Sequence, residues 1–335
     1  MNRLPIALTM GEPAGIGGEI ALKTWLRRAD SVPAFFLIDS PRRIERLART
    51  LGLDVRVKSI ARPADAATAF PAGLPILPIE VADDIVPGQP NARHAPAVIG
   101  AIERAVAMVR AGEAAAIVTN PIQKKPLYDA GFPYPGHTEF LASLAGGGTP
   151  VMMLAIPALR VVPLTIHVPL VRAIASIRTD AIVATGEIVL AALKRDFGLS
   201  APRLAVAGLN PHAGESGSLG FEDETFIRPA VEILRRRGHA VLGPLVPDVM
   251  FADGQRQRYD AALCMYHDQA LIPLKTLDFE RGVNITLGLP FVRTSPDHGT
   301  ALDIAGTGVA SPISLMEALK LARAMADRRA AGNAA

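Results

Sequence analysis

Residues 34–50 read AFFLIDSPRRIERLART, an apolar run followed at once by a segment whose apolar residues recur at helical spacing. The run is typical of a buried strand, and the segment after it is typical of an amphipathic helix. The same succession recurs with PIALTM (5–10) before GEIALKTWLRRA (18–29), and with RLAVAGL (203–209) before EDETFIRPAVEILRRR (222–237). This alternation predicts an α/β protein with a largely parallel sheet whose strands are covered on both faces.

Composition and charge exclude several classes of protein. A chain of 335 residues, 50% of them hydrophobic, can bury a large core and is expected to form two domains. The 35 basic and 32 acidic residues are interspersed, so no basic block predicts a nucleic-acid partner. Cys264 lies inside an apolar run, which predicts a packed thiol in the reducing cytoplasm. Gly11, Glu12 and Pro13 interrupt the first apolar run too early for a secretion signal.

Three longer segments, 95–110, 179–197 and 313–329, have the pattern of amphipathic helices. Residues 151–171 approach the ~20-residue length of a membrane span, but this range includes an arginine, a histidine and three prolines. We expect two short buried strands with a turn there, and no membrane span.

Three histidines follow strand-like runs. His167 closes LRVVPLTIH, His212 follows RLAVAGLNPH, and His267 follows the apolar run that begins at residue 261. Ligands of open α/β sheets bind at the carboxyl ends of the strands, where three neutral imidazoles can hold a metal and leave a fourth position open. Glu215 and Asp268 lie close by in sequence and could orient the histidines or carry protons. The alternative is that each histidine has a structural role only.

Three further features of the sequence bear on ligand binding. In YPGHTEFLASLA (134–145), Thr138 is the predicted N-cap of a helix, and a helix N-terminus either is simply capped or binds a phosphate or carboxylate. Lys275, Asn284 and Arg293 lie beside strand-like segments and suit an anionic substrate. The glycine-rich GEPAGIGGE (11–19) lacks dinucleotide-loop spacing, so it predicts only a tight turn from a strand into a helix.

Five motifs occur in an order that resembles one family. They are GEPAGIG (11–17), GHTEF (136–140), LNPHAGE (209–215), MYHDQ (265–269) and GVNITLGLPFVRTSPDHGTALDIAGTG (282–308). Together they resemble the 4-hydroxythreonine-4-phosphate dehydrogenases of vitamin B6 biosynthesis. Residues 297–312 also resemble the nucleotide loop of isocitrate and isopropylmalate dehydrogenases. One departure is Gly18, where the family's loop usually has proline, which is preorganised for a first helical turn.

The resemblance implies an isocitrate/isopropylmalate dehydrogenase-like fold of two α/β/α domains with a cleft between them and no Rossmann fingerprint. One domain, 1–135 with 295–335, would be built from both chain ends and carry the nucleotide loop. The middle domain, 136–294, would carry metal and substrate ligands and the contacts of a homodimer with shared active sites.

The resemblance also implies a role for each candidate residue. The metal ligands would be His167, His212 and His267; the substrate ligands His137, Thr138, Lys275, Asn284 and Arg293; the NAD or NADP ligands His298, Gly299, Asp303 and Gly306; and the proton carriers Asp248 and Asp268. One divalent metal is expected in each active site. Three nitrogen ligands favour zinc or cobalt over magnesium.

The implied reaction is oxidation of 4-phosphohydroxy-L-threonine at its 3-hydroxyl by NAD or NADP. The product, 2-amino-3-oxo-4-phosphooxybutanoate, would lose CO₂ to give 3-amino-2-oxopropyl phosphate for pyridoxine 5'-phosphate biosynthesis. Two alternatives stay open. One is a related metal-dependent dehydrogenase of a sugar-acid phosphate or a dihydrodiol dicarboxylate, and the other is a zinc hydrolase that binds no dinucleotide.

Overall fold

The computed structural model describes residues 3–82 and 85–332, which form two α/β units. The strands are β1 (Ile6–Thr9), β2 (Phe35–Asp39), β3 (Val57–Ser59), β4 (Leu74–Pro78), β5 (Ile117–Thr119), β6 (Val151–Ile156), β7 (Leu159–Pro163), β8 (Arg203–Ala207), β9 (Ala240–Leu245), β10 (Ala261–Cys264), β11 (Val283–Leu287) and β12 (Arg293–Pro296). The α-helices are α1 (Gly17–Leu26), α2 (Pro41–Thr50), α3 (Ala66–Ala69), α4 (Ala95–Arg110), α5 (Lys124–Asp129), α6 (His137–Leu144), α7 (Leu170–Ser176), α8 (Thr179–Arg195), α9 (Arg228–Arg236), α10 (Pro247–Met250), α11 (Asp253–Arg256), α12 (His267–Leu277) and α13 (Ile313–Gly332).

The first unit comprises Met1–Pro150 and Leu289–Asp327. Its strands lie in the order β3-β4-β2-β1-β5-β12, and the neighbouring strands run parallel. Strand β2 is buried along its whole length, as expected for a parallel sheet covered on both faces. Phe36 and Ile38 of this strand belong to the same buried cluster as Ala101 of α4 and Leu141 of α6.

The second unit comprises Val151–Gly288 and Arg328–Ala335, with strands in the order β11-β6-β7-β10-β8-β9. Strands β7, β10, β8 and β9 run parallel, but β6 is antiparallel to both β7 and β11. The sheet of this unit is thus largely parallel, as predicted, with β6 as its one antiparallel strand among the described residues. Only Pro157 and Ala158 separate β6 from β7, and so short a connection can join only antiparallel strands.

Several local predictions are confirmed. The segments predicted as helices at 95–110, 179–197 and 313–329 form α4, α8 and α13, and residues 151–171 do begin with two short strands, β6 and β7. Within the described residues, no helix has both the length and the apolar character needed to cross a bilayer. Cys264 is a buried free thiol, and burial raises its pKa.

The unit boundaries differ from those predicted at 135/136 and 294/295. The first unit continues to Pro150 because Phe140 and Leu141 of α6 pack into its core and Arg110 of α4 donates to the carbonyl of Leu144 at 2.9 Å. Strand β12 joins the first unit by pairing with β5, which moves the second boundary to Leu289.

Candidate functional site

The candidate metal ligands follow three neighbouring strands of the second unit. Strand β10 pairs in parallel with β7 on one side and with β8 on the other. His167 follows β7, His267 follows β10 and His212 follows β8, so all three leave the same edge of the sheet. Each histidine lies a few residues beyond a strand that the structure contains, and metal binding by the three stays a prediction.

His167 and His267 are close to each other. Their ring centroids are 5.7 Å apart, with the planes inclined by 45°. The segments that carry them are joined by two hydrogen bonds, from Leu164 N to Cys264 O at 2.8 Å and from Thr165 Oγ1 to Met265 O at 2.9 Å. The backbone therefore holds these two imidazoles side by side.

The sequence suggested that a strand ends at His267. In the structure, His267 instead begins helix α12, with Tyr266 as the N-cap. Its Nδ1 lies 2.7 Å from Oδ1 of Asp268. A proton on Nδ1 and shared with this carboxylate leaves the Nε2 lone pair for a metal, which is the usual arrangement of a metal-binding histidine. The donor chemistry of His267 thus fits a divalent ion.

The sequence reasoning assigned no role to Gln269, although it lies in the motif MYHDQ. Its Oε1 accepts from Met265 N and its Nε2 donates to Gly208 O, both at 2.7 Å. This nearly buried side chain links the turn that carries His267 to the end of β8. Only the folded structure reveals this role, because the contact joins residues far apart in sequence.

His212 lies in an unusual turn. Residues 212–216 all have positive φ values, including 53° at His212 and 43° at Glu215. Such values are strained for residues other than glycine and need support from their surroundings. Asp223 gives that support upstream, because its carboxylate accepts from Leu209 N at 2.8 Å and from Asn210 N at 3.0 Å.

The structure brings two of the three histidines together, but not all three. Within residues 3–82 and 85–332, no three His, Cys, Asp or Glu side chains are arranged to hold a metal ion. The His212 side chain is 64% exposed, and its Nδ1 lies 3.8 Å from Oε2 of Glu215.

The other candidates of the second unit are distributed over three elements. Asp248 is exposed on α10, a short helix that contacts the turn containing His212. Lys275 is partly buried on α12, with Nζ 5.5 Å from the ring centroid of Phe279. Asn284 is partly buried on β11, opposite Leu154 of β6.

In the first unit, helix α6 begins at His137, with Gly136 as its N-cap. Thr138 was the predicted N-cap, and this prediction is wrong because Thr138 is the second helical residue. Gly136 is fully extended and has no side chain, so no side-chain hydrogen bond caps this helix. The first N–H groups of α6 therefore have no partner from a cap.

His137 is the most perturbed group at this helix terminus. Its Nε2 atom is buried and has no hydrogen-bond partner among the described residues. Burial holds the pKa of His137 well below its usual range, and the nearby charges of Arg293 and Lys124 lower the pKa further. At neutral pH the imidazole is uncharged, beside two cations.

Arg293 is buried on β12, with only 4% of its surface exposed. Its Nη2 donates to Oγ1 of Thr119 at 2.6 Å, at the end of the neighbouring strand β5. Burial lowers the pKa of Arg293 to about 10, so the guanidinium still carries its charge at neutral pH. The first unit thus contains His137, Thr138 and Arg293. It also contains a cation that was not predicted from the sequence.

That cation is Lys124. A Cβ atom on Gly136 would lie 3.8 Å from its Nζ, which places the ammonium at the start of α6. Asn120 was also missed, and its Nδ2 donates to Thr9 O at 3.1 Å and to Gly17 O at 3.3 Å. The available signal was position, because both residues follow the strand-like run that ends at Thr119.

The segment proposed as a nucleotide loop, residues 297–312, is fastened to the glycine-rich turn after β1. Ile16 N donates to Thr300 O at 3.1 Å, and Oγ1 of Thr300 donates to Oε1 of Gln123 at 3.0 Å. Gly15 is required here, since a Cβ would come within 2.8 Å of Thr300 O. The turn thus contacts the loop directly, which its own sequence did not predict.

The four candidate nucleotide ligands lie along this loop. Nε2 of His298 is buried and has no hydrogen-bond partner among the described residues, while Nδ1 lies 3.0 Å from the carbonyl of Gly299. Asp303 is exposed, and Gly306 has a φ of 76°. A cavity of about 300 Å³ borders the loop and is lined by Pro13, Gly15, Arg43, Arg46, Leu47, Thr50, Ile85, Pro87 and Gly306.

Gly18 lies against the side chains of Leu47 and Arg43. A Cβ there would lie 2.8 Å from Leu47 Cδ2 and 3.1 Å from Nη2 of Arg43. Arg43 is buried, pairs with both carboxylate oxygens of Asp39 at 2.8 and 2.5 Å, and donates to Pro13 O at 3.1 Å. A side chain at position 18 would require Leu47 and Arg43 to shift. Arg43 stabilises the glycine-rich loop through its bond to Pro13 O, at a place where the family's usual proline is absent.

Comparison with known proteins identifies the chain's relatives. A 4-hydroxythreonine-4-phosphate dehydrogenase of Bradyrhizobium diazoefficiens is 53% identical over an alignment that covers 96% of this chain and 97% of that protein. The crystal structure of a 4-hydroxythreonine-4-phosphate dehydrogenase from Klebsiella pneumoniae is 37% identical, with a TM-score of 0.87 over 96% of this chain and 99% of that chain. A terephthalate 1,2-cis-dihydrodiol dehydrogenase from Burkholderia xenovorans is 27% identical, with a TM-score of 0.65 over 96% and 98%.

The fold and these relatives define the chain as an α/β oxidoreductase. Residues 31–322 match the model of one family, described as pyridoxal phosphate biosynthetic protein PdxA. The chain belongs to this PdxA family, which confirms the family prediction made from the five motifs. The closer relation to isocitrate and isopropylmalate dehydrogenases stays a prediction.

Proposed function

We propose that this chain oxidises 4-phosphohydroxy-L-threonine at its 3-hydroxyl with NAD or NADP, in the biosynthesis of pyridoxine 5'-phosphate. The product is 2-amino-3-oxo-4-phosphooxybutanoate, a β-keto acid that loses CO₂ to give 3-amino-2-oxopropyl phosphate. The observation that carries the proposal is the pair of cations beside His137 at the start of α6, the buried Arg293 and the exposed Lys124, in a chain whose relatives are named for a phosphorylated substrate.

The phosphate would be held at the N-terminus of α6. The uncapped N–H groups and the helix dipole favour an anion at this position. Arg293 and Lys124 add two positive charges, and His137 offers the buried Nε2 as a further hydrogen-bonding atom. Thr138, the second residue of the helix, adds a hydroxyl, while Lys275 and Asn284 would bind other polar groups of the substrate.

His167, His212 and His267 would hold one divalent ion, with zinc or cobalt favoured by the nitrogen donors. Support comes from their positions after adjacent parallel strands and from Asp268, which orients the His267 ring. When bound, such an ion lowers the pKa of the substrate hydroxyl and so assists its deprotonation.

Two carboxylates are candidates to accept the hydroxyl proton. Asp268 binds His267 through Oδ1, and its side chain is 69% exposed, so Oδ2 can take part in proton transfer to solvent. Asp248 is exposed on the helix that contacts the turn of His212. We assign proton transfer to these two residues.

The dinucleotide would bind along residues 297–312 and supply the hydride acceptor. His298, Gly299, Asp303 and Gly306 are its proposed ligands. The fastening of this loop to the turn after β1, and the adjacent cavity of about 300 Å³ bordered by two arginines, support the assignment.

The active form would be a homodimer with shared sites. Directly after His167, the chain exposes the apolar side chains of Val168, Leu170, Val171 and Ile174, of which Val171 is 73% exposed. A contiguous exposed apolar strip of this kind marks a protein interface. A second copy that covers this strip would lie beside His167.

A second candidate function is oxidation of a dihydrodiol dicarboxylate. It is favoured by the likeness to the terephthalate dihydrodiol dehydrogenase, since Arg293 and Lys275 could bind a carboxylate as well as a phosphate.

A spectrophotometric assay of dinucleotide reduction separates the two functions. The purified protein is given 4-phosphohydroxy-L-threonine, 4-hydroxy-L-threonine or the cis-dihydrodiol of terephthalate, each with NAD or NADP and with or without a chelator. We expect reduced dinucleotide with the phosphorylated substrate, and loss of activity with the chelator. Faster turnover of the dihydrodiol would favour the second function, and no reduction with any substrate would exclude both.

A further inference from the structure

The end of the loop 297–312 is held by two side chains of helix α1. Lys23 Nζ donates to the carbonyls of Gly308 and Ala310, each at 2.7 Å. Glu19 Oε1 accepts from Ala310 N at 3.0 Å, and its Oε2 accepts from Gly308 N at 3.4 Å. The two side chains also pair with each other, with Nζ 2.8 Å from Oε1. We call this pair the α1 clamp.

The α1 clamp satisfies the backbone of the loop as a strand partner would. Both N–H groups and both carbonyls of Gly308 and Ala310 find partners in one ion pair. Glu19 is only 1% exposed and Lys23 is 18% exposed. The charge-assisted bond from Ala310 N to Glu19 is buried, whereas the bond from Lys23 to the Gly308 carbonyl is exposed. Burying an ion pair carries a desolvation cost, so such a pair contributes little net stability. In some proteins its role is instead to fix one particular arrangement.

The loop 297–312 needs contacts with other segments to hold its backbone in one conformation. Gly306 and Gly308 have φ values of 76° and 80°, so this part of the loop uses backbone conformations in which glycine is intrinsically flexible. Its other anchor is Thr300, which accepts from Ile16. The candidate ligands Asp303 and Gly306 therefore lie between one anchor at Thr300 and a second at the α1 clamp.

We propose that Glu19 and Lys23 are positioning residues that hold the loop 297–312 in the conformation that binds the dinucleotide. The inference rests on the proposed function, which assigns this loop to NAD or NADP. With the loop ordered in advance, the dinucleotide binds without the entropic cost of ordering it. The clamp itself touches no reacting atom.

The test measures dinucleotide affinity in variants of the clamp. Lys23→Met removes the donors, Glu19→Gln removes the charge of the acceptor, and the double variant leaves no unpaired buried charge. Each should raise the Kd for NADH, measured by fluorescence titration, by about tenfold, because loop ordering then opposes binding. Lys23→Arg keeps a cation with several donors and should recover part of the affinity. Turnover at saturating dinucleotide should change less than the Kd.

Lys320→Met is the matched control. Lys320 forms an ion pair with Glu317 on α13, at 2.9 Å, with the two side chains 33% and 27% exposed, so this pair makes the same kind of contact within a helix at a more exposed position. We expect wild-type NADH affinity from this variant. Amide hydrogen exchange of residues 297–312 should be faster in Lys23→Met than in the wild type and in Lys320→Met.

Wild-type NADH affinity in folded Lys23→Met and in the double variant would overturn the inference, as would unchanged hydrogen exchange of the loop. A lower melting temperature with an unchanged Kd would also overturn it, since the clamp would then be structural only. If the wild type binds neither NADH nor NADPH, the proposed function fails first, and that failure is visible before any variant is made.

Discussion

Replacement of Arg293 by methionine tests phosphate recognition at the start of α6. Methionine keeps much of the buried volume but removes the charge and the donor to Thr119. A hydrogen bond to a charged group contributes about 1.5–3 kcal/mol, so the KM for the phosphorylated substrate should rise about 10- to 150-fold. Turnover should fall less, because an anchoring contact is made in the ground state as well as in the transition state.

The assay is steady-state kinetics with 4-phosphohydroxy-L-threonine, with the KM for dinucleotide measured in parallel as an internal reference. Arg293→Lys keeps the charge without the planar fork and should fall between the wild type and Arg293→Met. Arg281→Met is the control, because Arg281 is exposed and pairs with Asp278 on the surface. An unchanged KM for the phosphorylated substrate in Arg293→Met would refute the assignment of this residue to the phosphate.

Three further predictions address the metal, acid stability and assembly. His267→Ala should lose bound metal and turnover together, and metal analysis that finds stoichiometric zinc or cobalt with normal turnover would remove His267 from the site. Burial opposes ionisation of Asp196, but hydrogen bonds from Arg195 and Arg329 outweigh it and lower the pKa of this carboxyl below 3.8. The stability that this cluster contributes is therefore fully present above about pH 4 and is lost as the pH falls through the lowered pKa. Asp196→Asn should cost about 1–3 kcal/mol at pH 7 in urea unfolding and should flatten the acid limb of the stability curve, and an unchanged limb would contradict this. We expect the unsubstituted protein to scatter light as the proposed dimer and Val171→Asp to scatter as a monomer, and a stable dimer of this variant would place the interface elsewhere.

Much of the fold follows from local pattern. The run AFFLID forms β2, and the segment after it forms α2. A continuous apolar run predicts a buried strand and a helical repeat predicts a helix, and neither prediction needs information from distant residues. The two short strands and the turn predicted for residues 151–171 form β6 and β7, and the two-residue connection makes these strands antiparallel. The cap of α6 was misassigned because Thr138 is a good N-cap by residue type, while the backbone places Gly136 there.

Only part of the candidate site, too, could be predicted from the sequence. His167, His212 and His267 could be identified from sequence because each follows a strand, and the order of strands then brings their segments to one edge. The residues that support the site could not be found in this manner. Gln269 bonds to Gly208, and such contacts are fixed only by the tertiary fold.

In the proposed reaction, the enzyme removes hydride from C3 of a phosphorylated hydroxythreonine. The most direct test is isotope transfer: 4-phosphohydroxy-L-threonine carrying deuterium at C3 is incubated with the purified protein and NAD or NADP, and the reduced dinucleotide is analysed by mass spectrometry. We expect reduced dinucleotide that carries the deuterium, together with 3-amino-2-oxopropyl phosphate. Reduced dinucleotide without deuterium, or recovery of the substrate unchanged by an otherwise folded and metal-loaded protein, would contradict it.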